Sequence, residues 1–447
     1  MRFINQLIQA VCLLGLLTAT TQAAPDIQHW QTDSGTGVYF VPATELPMVD
    51  VRMVFDAGSA RDGDTAGVAD MTMGMLSDGA AGMSANDIST AFESIGANYG
   101  TSIDRDKASV QLRTLSKSET RGKAIETLAK VISQPEFPQD DFKREKQRTL
   151  VGIQSKKQSP GSLANDAFYK ALYGEHPYSH PASGTEESVK RMQREDLVAF
   201  HQQYYTAANA MIAIVGDLNR SEAEQLARDL TAELPTGEAA PELPAVEANN
   251  THQVAIDFPS SQTHILIGTP VVQRRDKDYF ELYVGNHVLG GSGMVSKLFE
   301  TIRNKQGLSY SVYSYFYPLQ QKGPFVSGLQ TSTAQTDAAL ELLRKEIRSY
   351  IENGPTAEEL KASKQNITGG FPLRIDSNSD IVEYLAVIGF YDLPLDYLDT
   401  FNDKVKAVTR EEIMDAFQRR LDVDDFVTVL VGQQQTSASR NAGNQSE

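Results

Sequence analysis

The sequence predicts an α+β protein made of two homologous halves, each an antiparallel sheet with helices packed on one side. Three observations predict it. First, the chain repeats itself. "REDLVAFHQQYYTAANAMIAIVGDL" (194–218) resembles "REEIMDAFQRRLDVDDFVTVLVGQQ" (410–434) at an offset of 216. "AIETLAKVI" from Ala124 matches "ALELLRKEI" from Ala339 at an offset of 215, and "PQDDFKREKQ" from Pro138 matches "PTAEELKASKQ" from Pro355 at 217. Three matches at nearly one offset indicate a duplication. Second, strand-like and helix-like stretches alternate in each half. Third, the strands are polar on one face, which favours antiparallel sheets over a doubly wound parallel one.

The elements follow from local pattern. "MVDVRMVFDAGS" (48–59) and "ASVQLRTL" (108–115) alternate as strands do. "ANDISTAFESIGANYG" sets Ile88, Ala91, Phe92 and Ile95 on one helical face and stops at Gly96. In the second half, "HILIGTPVV" reads as a strand and "DYFELYVGNHVLGG" as a helix ending in glycines. Glu352-Asn353-Gly354-Pro355 is a helix stop, and Thr356 with Glu359 forms a capping box for the next helix.

The ends and the middle differ in composition. Arg2 followed by "LIQAVCLLGLLTA" and small residues near Ala23 and Ala24 reads as a signal peptide over residues 1–24. The apolar run is too short to span a bilayer, and no later stretch is long enough. The only cysteine, Cys12, lies inside this segment, so the exported chain needs no disulfide. "PTGEAAPELPAVEANNTHQ" (235–253) is rich in Pro, Ala and Glu and reads as an extended linker, with its core at 235–251. The expected domains are 27–234 and 252–434, with a polar, disordered tail over 435–447.

Charge excludes some partners. Asp plus Glu number 58 against 41 for Lys plus Arg, a net −17, and loss of Arg2 makes it more negative still. Phosphate backbones and anionic lipid both require a basic face, so neither nucleic acid nor a membrane surface is expected. The expected localisation is periplasmic or otherwise exported.

Two stretches carry the chemistry. "LGGSGMVSKLFETIRNKQGLSYSVYSYFYP" (289–318) is a glycine-rich turn, then an amphipathic helix broken by Gly307, then a strand rich in Tyr and Ser. It places Arg303 near the helix end and Tyr310 in the new strand. From residue type alone, Arg303 is a dipole-favoured cation and Tyr310 a half-buried packing residue. Gly290, Gly291 and Gly293 either cap a helix or free a loop to contact substrate. The other stretch is "GVADMTMGML" (67–76), an apolar segment with one carboxylate, Asp70. Asp70 reads as a first-turn group facing the helix dipole, and the methionines read as core filler.

On the 289–318 motif, on "GEHPYSHP" (174–181), on "FESIGANYG" and on the duplication, the chain resembles the M16 (pitrilysin/insulinase-like) metallopeptidases, in particular their smaller subunits. The resemblance covers nearly all of the chain after the signal peptide. It implies two α+β halves and a chamber for peptides enclosed by two such chains. The active subunit carries His-x-x-Glu-His on a first-half helix: two imidazoles one turn apart reach zinc, and the Glu activates its water. A Glu about 80 residues further on completes the ligands in the family pattern. Aligned to that pattern, Asp70 holds the first His position, Met73 the Glu position and Gly74 the second His position, while "RTLVGIQ" (148–154) has no carboxylate. No metal is therefore expected in this chain. The resemblance implies that the partner subunit supplies zinc, and that Arg303 and Tyr310 contact the substrate and its oxyanion in trans, with Gly290, Gly291 and Gly293 near the peptide.

The seven histidines do not replace the missing ligands. His176 and His180 are four apart, but Pro177 makes the intervening segment a turn. His287 shares a helical face with Phe280, Tyr283 and Val284 and reads as packed or hydrogen-bonded. His29, His201, His252 and His264 have no ligand-like neighbours. The expected function is that of a non-catalytic subunit of an exported heterodimeric zinc peptidase, inactive alone. The alternative is an inactive peptide-binding or scaffold homodimer of the cell envelope.

Overall fold

A computed structural model describes residues 25–247 and 251–433. The expected signal peptide and the whole polar tail lie outside the described residues. The first half runs β1 (Gln28–Gln31), β2 (Gly37–Pro42), β3 (Met48–Phe55), α1 (Val68–Gly74), a short hairpin of β4 (Gly79–Ala80) and β5 (Met83–Ser84), α2 (Ala85–Glu93), β6 (Asn98–Ile103) and β7 (Ala108–Leu115). It continues through α3 (Ser118–Ser133), α4 (Gln139–Lys156), α5 (Pro160–Tyr173), α6 (Glu186–Arg191), α7 (Arg194–Tyr204), β8 (Ala210–Gly216) and α8 (Arg220–Thr231). The second half runs β9 (Gln253–Asp257), β10 (Gln262–Val272), α9 (Tyr279–Asn286), β11 (Val312–Phe316), β12 (Gly323–Ser332) and α10 (Thr336–Asn353). It ends with α11 (Ala357–Gly370), α12 (Asn378–Phe390), α13 (Tyr397–Ala407), α14 (Arg410–Arg420) and β13 (Val427–Gly432).

The sheets show the duplication in space. The first has the strand order β1-β2-β8-β3-β7-β6 and the second β11-β12-β10-β13-β9. Read in reverse, the second reproduces the first without β1. The central strand of each is antiparallel to both neighbours: Val51 pairs with Leu112 and Ile214, and Ile265 pairs with Leu329 and Leu430. One pair in each sheet is parallel, β2 with β8 and β9 with β13. Both sheets are thus mixed, with the parallel pair at the edge of the second and one strand in from the edge of the first. Alternation in sequence reports which face a residue is on, not which way its neighbour runs. β10 carries an irregularity between Pro270 and Val272, where Pro270 has no amide to give to a ladder.

Each half places most of its helices on one face of its own sheet. Val38, Phe40, Val51, Met53, Ile212 and Ile214 share a core with residues of α1, α2, α3, α7 and α8. The opposite face is not left to solvent. α12, from the second half, packs across β2, β3 and β8, so that Tyr39, Val41, Met211, Ala213 and Val215 join the second half's core. Reciprocally, α5, from the first half, lays Ala164, Phe168 and Leu172 against Val427, Val429 and Val431 of the second sheet. The halves therefore exchange one helix. This is why β8, "AMIAIVG", is buried at every position: a strand covered on both faces reads as a continuous apolar run.

A polar hub joins the halves. Asp106 is fully buried and accepts from Tyr178 Oη at 2.5 Å, Tyr391 Oη at 2.9 Å and the Gln320 amide at 2.8 Å. Burial pushes its carboxyl up to about 6 despite these donors. The connecting segment has no regular secondary structure as far as residue 247, but it is tied down. Pro241 O accepts from Arg61 at 2.6 Å, the Ala240 amide donates to Asn209 at 2.8 Å, and Leu243 O accepts from Gln321 at 3.0 Å.

Candidate functional site

The stretch "GVADMTMGML" folds as α1 and the turn after it. Gly67 precedes the helix at φ 94°, a left-handed conformation that glycine tolerates. The helix start is capped from outside. Asp62 accepts from the amides of Gly67 at 2.7 Å and Ala69 at 2.8 Å. Asp62 is buried, and burial pushes its carboxyl up to about 8 against the pull of those two amides. His180 Nδ1 lies 3.6 Å from it, and burial lowers that imidazole. Asp70 therefore stands in the first turn, as expected, but is not the cap. It is half-buried. Burial raises its carboxyl first, Lys156 on α4 lowers it, and Glu145 on α4 raises it again.

The rest of this helix is core. Met71, Met73, Met75 and Leu76 are buried and pack with Ile88, Phe92 and Val110. Met73 thus points into the hydrophobic interior. Gly74 is exposed and has no side chain to offer. The stretch 148–154 of α4, where the family pattern would place the last ligand, holds no carboxylate, and its Val151 is 59% exposed. Zinc with a free position needs about three nitrogen, sulfur or oxygen ligands in tetrahedral reach. Asp70, Met73, Gly74 and Val151 do not fit that requirement. No cluster of three or more His, Cys, Asp or Glu able to hold a metal exists among the described residues.

The histidines are engaged elsewhere. His176 and His180 flank a 3₁₀ turn, Pro177–Ser179; His176 bonds Pro244 O at 2.9 Å and accepts the Tyr178 amide. His287 bonds Asn366 at 3.2 Å and Ser363 at 2.9 Å, so it is a hydrogen-bonded packing residue. His201 is buried against Ile132 O at 2.7 Å, and burial lowers it to about 4.

In the second half, α9 leads into a π-helical turn, His287–Gly291, and a second π-helical segment spans Phe299–Lys305. Gly307, at φ 62°, ends that segment, and the amides of Gly307 and Leu308 bond back to the carbonyls of Arg303 and Ile302. Arg303 is half-buried with its guanidinium 4.6 Å from the Phe299 ring centre. It takes part in no ion pair among the described residues. Tyr310 lies two residues before β11 rather than in the strand. Ser309 Oγ donates to Ser311 O at 2.7 Å and accepts the Ser311 amide, which makes a turn with Tyr310 at its apex. The phenol is 84% exposed, so the half-buried packing reading is wrong. Nearby in the chain, Met294 and Val295 are 73% and 82% exposed.

The three glycines differ. A side chain at Gly290 would collide with Ser314 of β11, and one at Gly291 would meet Asn286 Nδ2 at 2.8 Å. Both are close-packing positions. Gly293, at φ 62°, faces open space. Sequence reasoning missed Asp62 and Asp106. A signal for the first existed in "DGDTAG", an acid followed by glycines just before a helix. For the second there was none, because its partners come from positions 178, 320 and 391.

Comparison with known proteins agrees with this geometry. Residues 41–186 match the model for insulinase (peptidase family M16), and residues 191–367 match that for the peptidase M16 inactive domain. A Helicobacter pylori protein described as a non-peptidase homolog, YmxG, is 25% identical over 391 residues, 86% of this chain and 89% of its own. A Bacillus subtilis protein described as an uncharacterized zinc protease, YmxG, is 25% identical over 362 residues, 80% of this chain and 86% of its own. The crystal structure of a peptidase M16 inactive domain from Pseudomonas fluorescens superposes with a TM-score of 0.89 at 40% identity, over 92% of this chain and 98% of that one. With that identity across almost the full length, and with duplicated halves around an α1 that lacks both imidazoles and the base, the chain belongs to the M16 peptidase family.

Proposed function

We propose that this chain is the non-catalytic subunit of an exported, heterodimeric M16-type zinc peptidase. The observation that carries the reading is the split between the two halves. The first half has core methionine and a bare glycine where the metal site would be. The second half displays an exposed Tyr310 and an Arg303 without a carboxylate partner. A tyrosine with 84% exposure at the tip of a hydrogen-bonded turn contributes little to folding. A phenol and a guanidinium are the donors that a peptide carbonyl and its tetrahedral oxyanion require. On this reading the partner chain, bearing His-x-x-Glu-His, holds zinc. This chain closes the peptide chamber, and Arg303 and Tyr310 hold the substrate backbone across the interface. Gly293, and the loop it frees, lies beside the peptide. Export follows from the segment over 1–24, and the two units are 27–234 and 252–434.

No helix among the described residues is long and apolar enough to cross a membrane. The test is co-expression with a His-x-x-Glu-His M16 chain from the same genome. The mixed complex should form and cleave unstructured peptides. Arg303→Ala and Tyr310→Phe should each lower kcat by roughly 10²-fold, the effect of losing one oxyanion donor, without dissociating the complex. Full activity in both variants would refute the role in trans. A chain that pairs only with itself would replace the proposal with a peptide-holding homodimer.

A further inference from the structure

The second half contains a cavity of about 620 Å³ whose wall includes two arginines, Arg274 and Arg374, and no aspartate or glutamate. That is unusual in a chain with 58 acids and a net charge of −17. Arginines nearby do find carboxylates. Arg420 binds Asp276 and Asp278, Arg419 binds Asp278, and Arg275, next to Arg274, reaches Asp392 at 3.1 Å. Arg274 and Arg374 do not.

Phenols hold them instead. Arg274 Nη1 donates to Tyr279 Oη at 3.0 Å, with the guanidinium 4.7 Å from that ring centre. Arg374 Nη1 donates to Tyr283 Oη at 3.3 Å. Tyr279 and Tyr283 sit one turn apart on α9, with ring centres 6.1 Å apart and planes 3° from parallel. One helix face thus aims two cations at the same cavity. A neutral phenol orients a guanidinium but leaves its charge and most of its five N–H groups unanswered.

The opposite wall is of different character. Phe316 of β11 with Val272, Leu282 and Pro318 gives it an apolar surface, while the rings of Tyr313 and Tyr315 turn to the other face of the sheet, toward Leu266 and Gly328. Gly290 lets the π-helical turn approach β11 closely enough to close that side. The cavity therefore joins a cationic end to an apolar one.

We propose that this cavity is a carboxylate pocket for peptides. Arg274 and Arg374 bind the carboxylate as a fork, and the apolar wall of Phe316, Leu282 and Val272 takes the adjoining apolar side chain. The carboxylate comes from the peptide's C-terminus or from an acidic side chain. The inference rests on the peptide-holding reading above and names the feature of the peptide that is selected.

The test is calorimetric titration of the full exported chain with three acetylated octapeptides of Ala and Ser. One ends in Phe with a free C-terminus, one is its C-terminal amide, and one is the amide with an internal Glu before the Phe. The free acid should bind at least ~10-fold more tightly than the amide, as charge-assisted guanidinium bonds require. If the internal Glu restores the affinity, a side-chain carboxylate serves equally; if not, the pocket reads the C-terminus. Arg374→Gln and Arg274→Gln should each reduce the advantage of the acid while leaving the amide's affinity unchanged. Arg374 lies on an exposed turn, so its variant carries the test even if Arg274→Gln disturbs packing. Equal binding of all three peptides, or an undiminished advantage in Arg374→Gln, would overturn the carboxylate pocket and leave the peptide-holding reading standing. Binding of none of them would overturn both.

Discussion

Gly389→Ala tests the helix exchange directly. Gly389 lies near the end of α12, a second-half helix, yet its open side faces the first sheet. A side chain there would collide with Met211 Cε of β8 and lie 2.6 Å from a ring carbon of Tyr39 on β2. Met211 can swing away. Tyr39 is less free, because it is buried and stacked on His29 at 4.4 Å. Overpacking of this kind costs about 1–3 kcal/mol. Alanine in place of glycine returns at most ~1 kcal/mol of helix propensity. Taking the middle of each range, the net loss is about 1.5 kcal/mol. The only tryptophan, Trp30, is on β1 in the first half, edge-on to Phe40 and covered by Arg220 at 3.8 Å. Its fluorescence during urea unfolding reports the first half alone. The Trp30 midpoint should fall in the variant although the substitution is in the second half. An unchanged or raised midpoint would refute the packing of α12 on the first sheet.

Two buried groups give opposite pH dependences. Asp106 is raised to about 6 in the folded chain, so its contribution is full below its ordinary carboxylate range and is lost as pH rises through about 6. His201 is lowered to about 4, so its contribution is full above its ordinary value near 6.5 and is lost as pH falls toward about 4. Each effect is worth ~3 kcal/mol at 1.4 kcal/mol per pH unit, and they offset one another between pH 4 and 6. Taken as the difference from the unsubstituted chain, so that Asp62 and the other carboxyls cancel, the stability of Asp106→Asn should rise from pH 4 to 7 and that of His201→Gln should fall; urea midpoints over this range check both, and parallel curves would contradict the assignment. Asp62→Ala removes the acceptor of two amides at the start of α1 and should cost about 1–3 kcal/mol, read by the same unfolding assay.

Much of the fold was legible because amphipathic helices and alternating strands leave a period in the sequence, and the duplication wrote that period twice. The capping box at Thr356 and Glu359 is present as read, with Thr356 Oγ1 accepting the Glu359 amide at 3.2 Å. The 108–115 strand coincides with β7. The parallel pairs were not legible, since pairing direction leaves no mark on side-chain alternation. Nor was the helix exchange: the sequences of α5 and α12 carry no mark of which sheet they cover, although α12 is apolar almost all round and β8 is an unbroken apolar run, both signs of burial on two faces. At the candidate site, the loss of the metal ligands could be read from residue identity alone. The placement of Tyr310 could not. Tyr and Ser recur through 309–317, but the Ser309 hydroxyl bonds Ser311 locally and holds the first residues in a turn, out of phase with Tyr313, Tyr315 and Tyr317. Asp106 owes its setting to residues far away in the chain, and Arg274 to a phenol in place of a carboxylate, and neither leaves a local pattern.

The claim that α1 is a zinc seat without zinc ligands is tested most directly by titrating zinc into the isolated, metal-stripped chain and following peptide hydrolysis in the same cell. Asp70, Met73 and Gly74 require no stoichiometric zinc uptake and no cleavage at any zinc concentration below that of nonspecific binding. Uptake of one equivalent, with peptide cleavage by this chain alone, would contradict it.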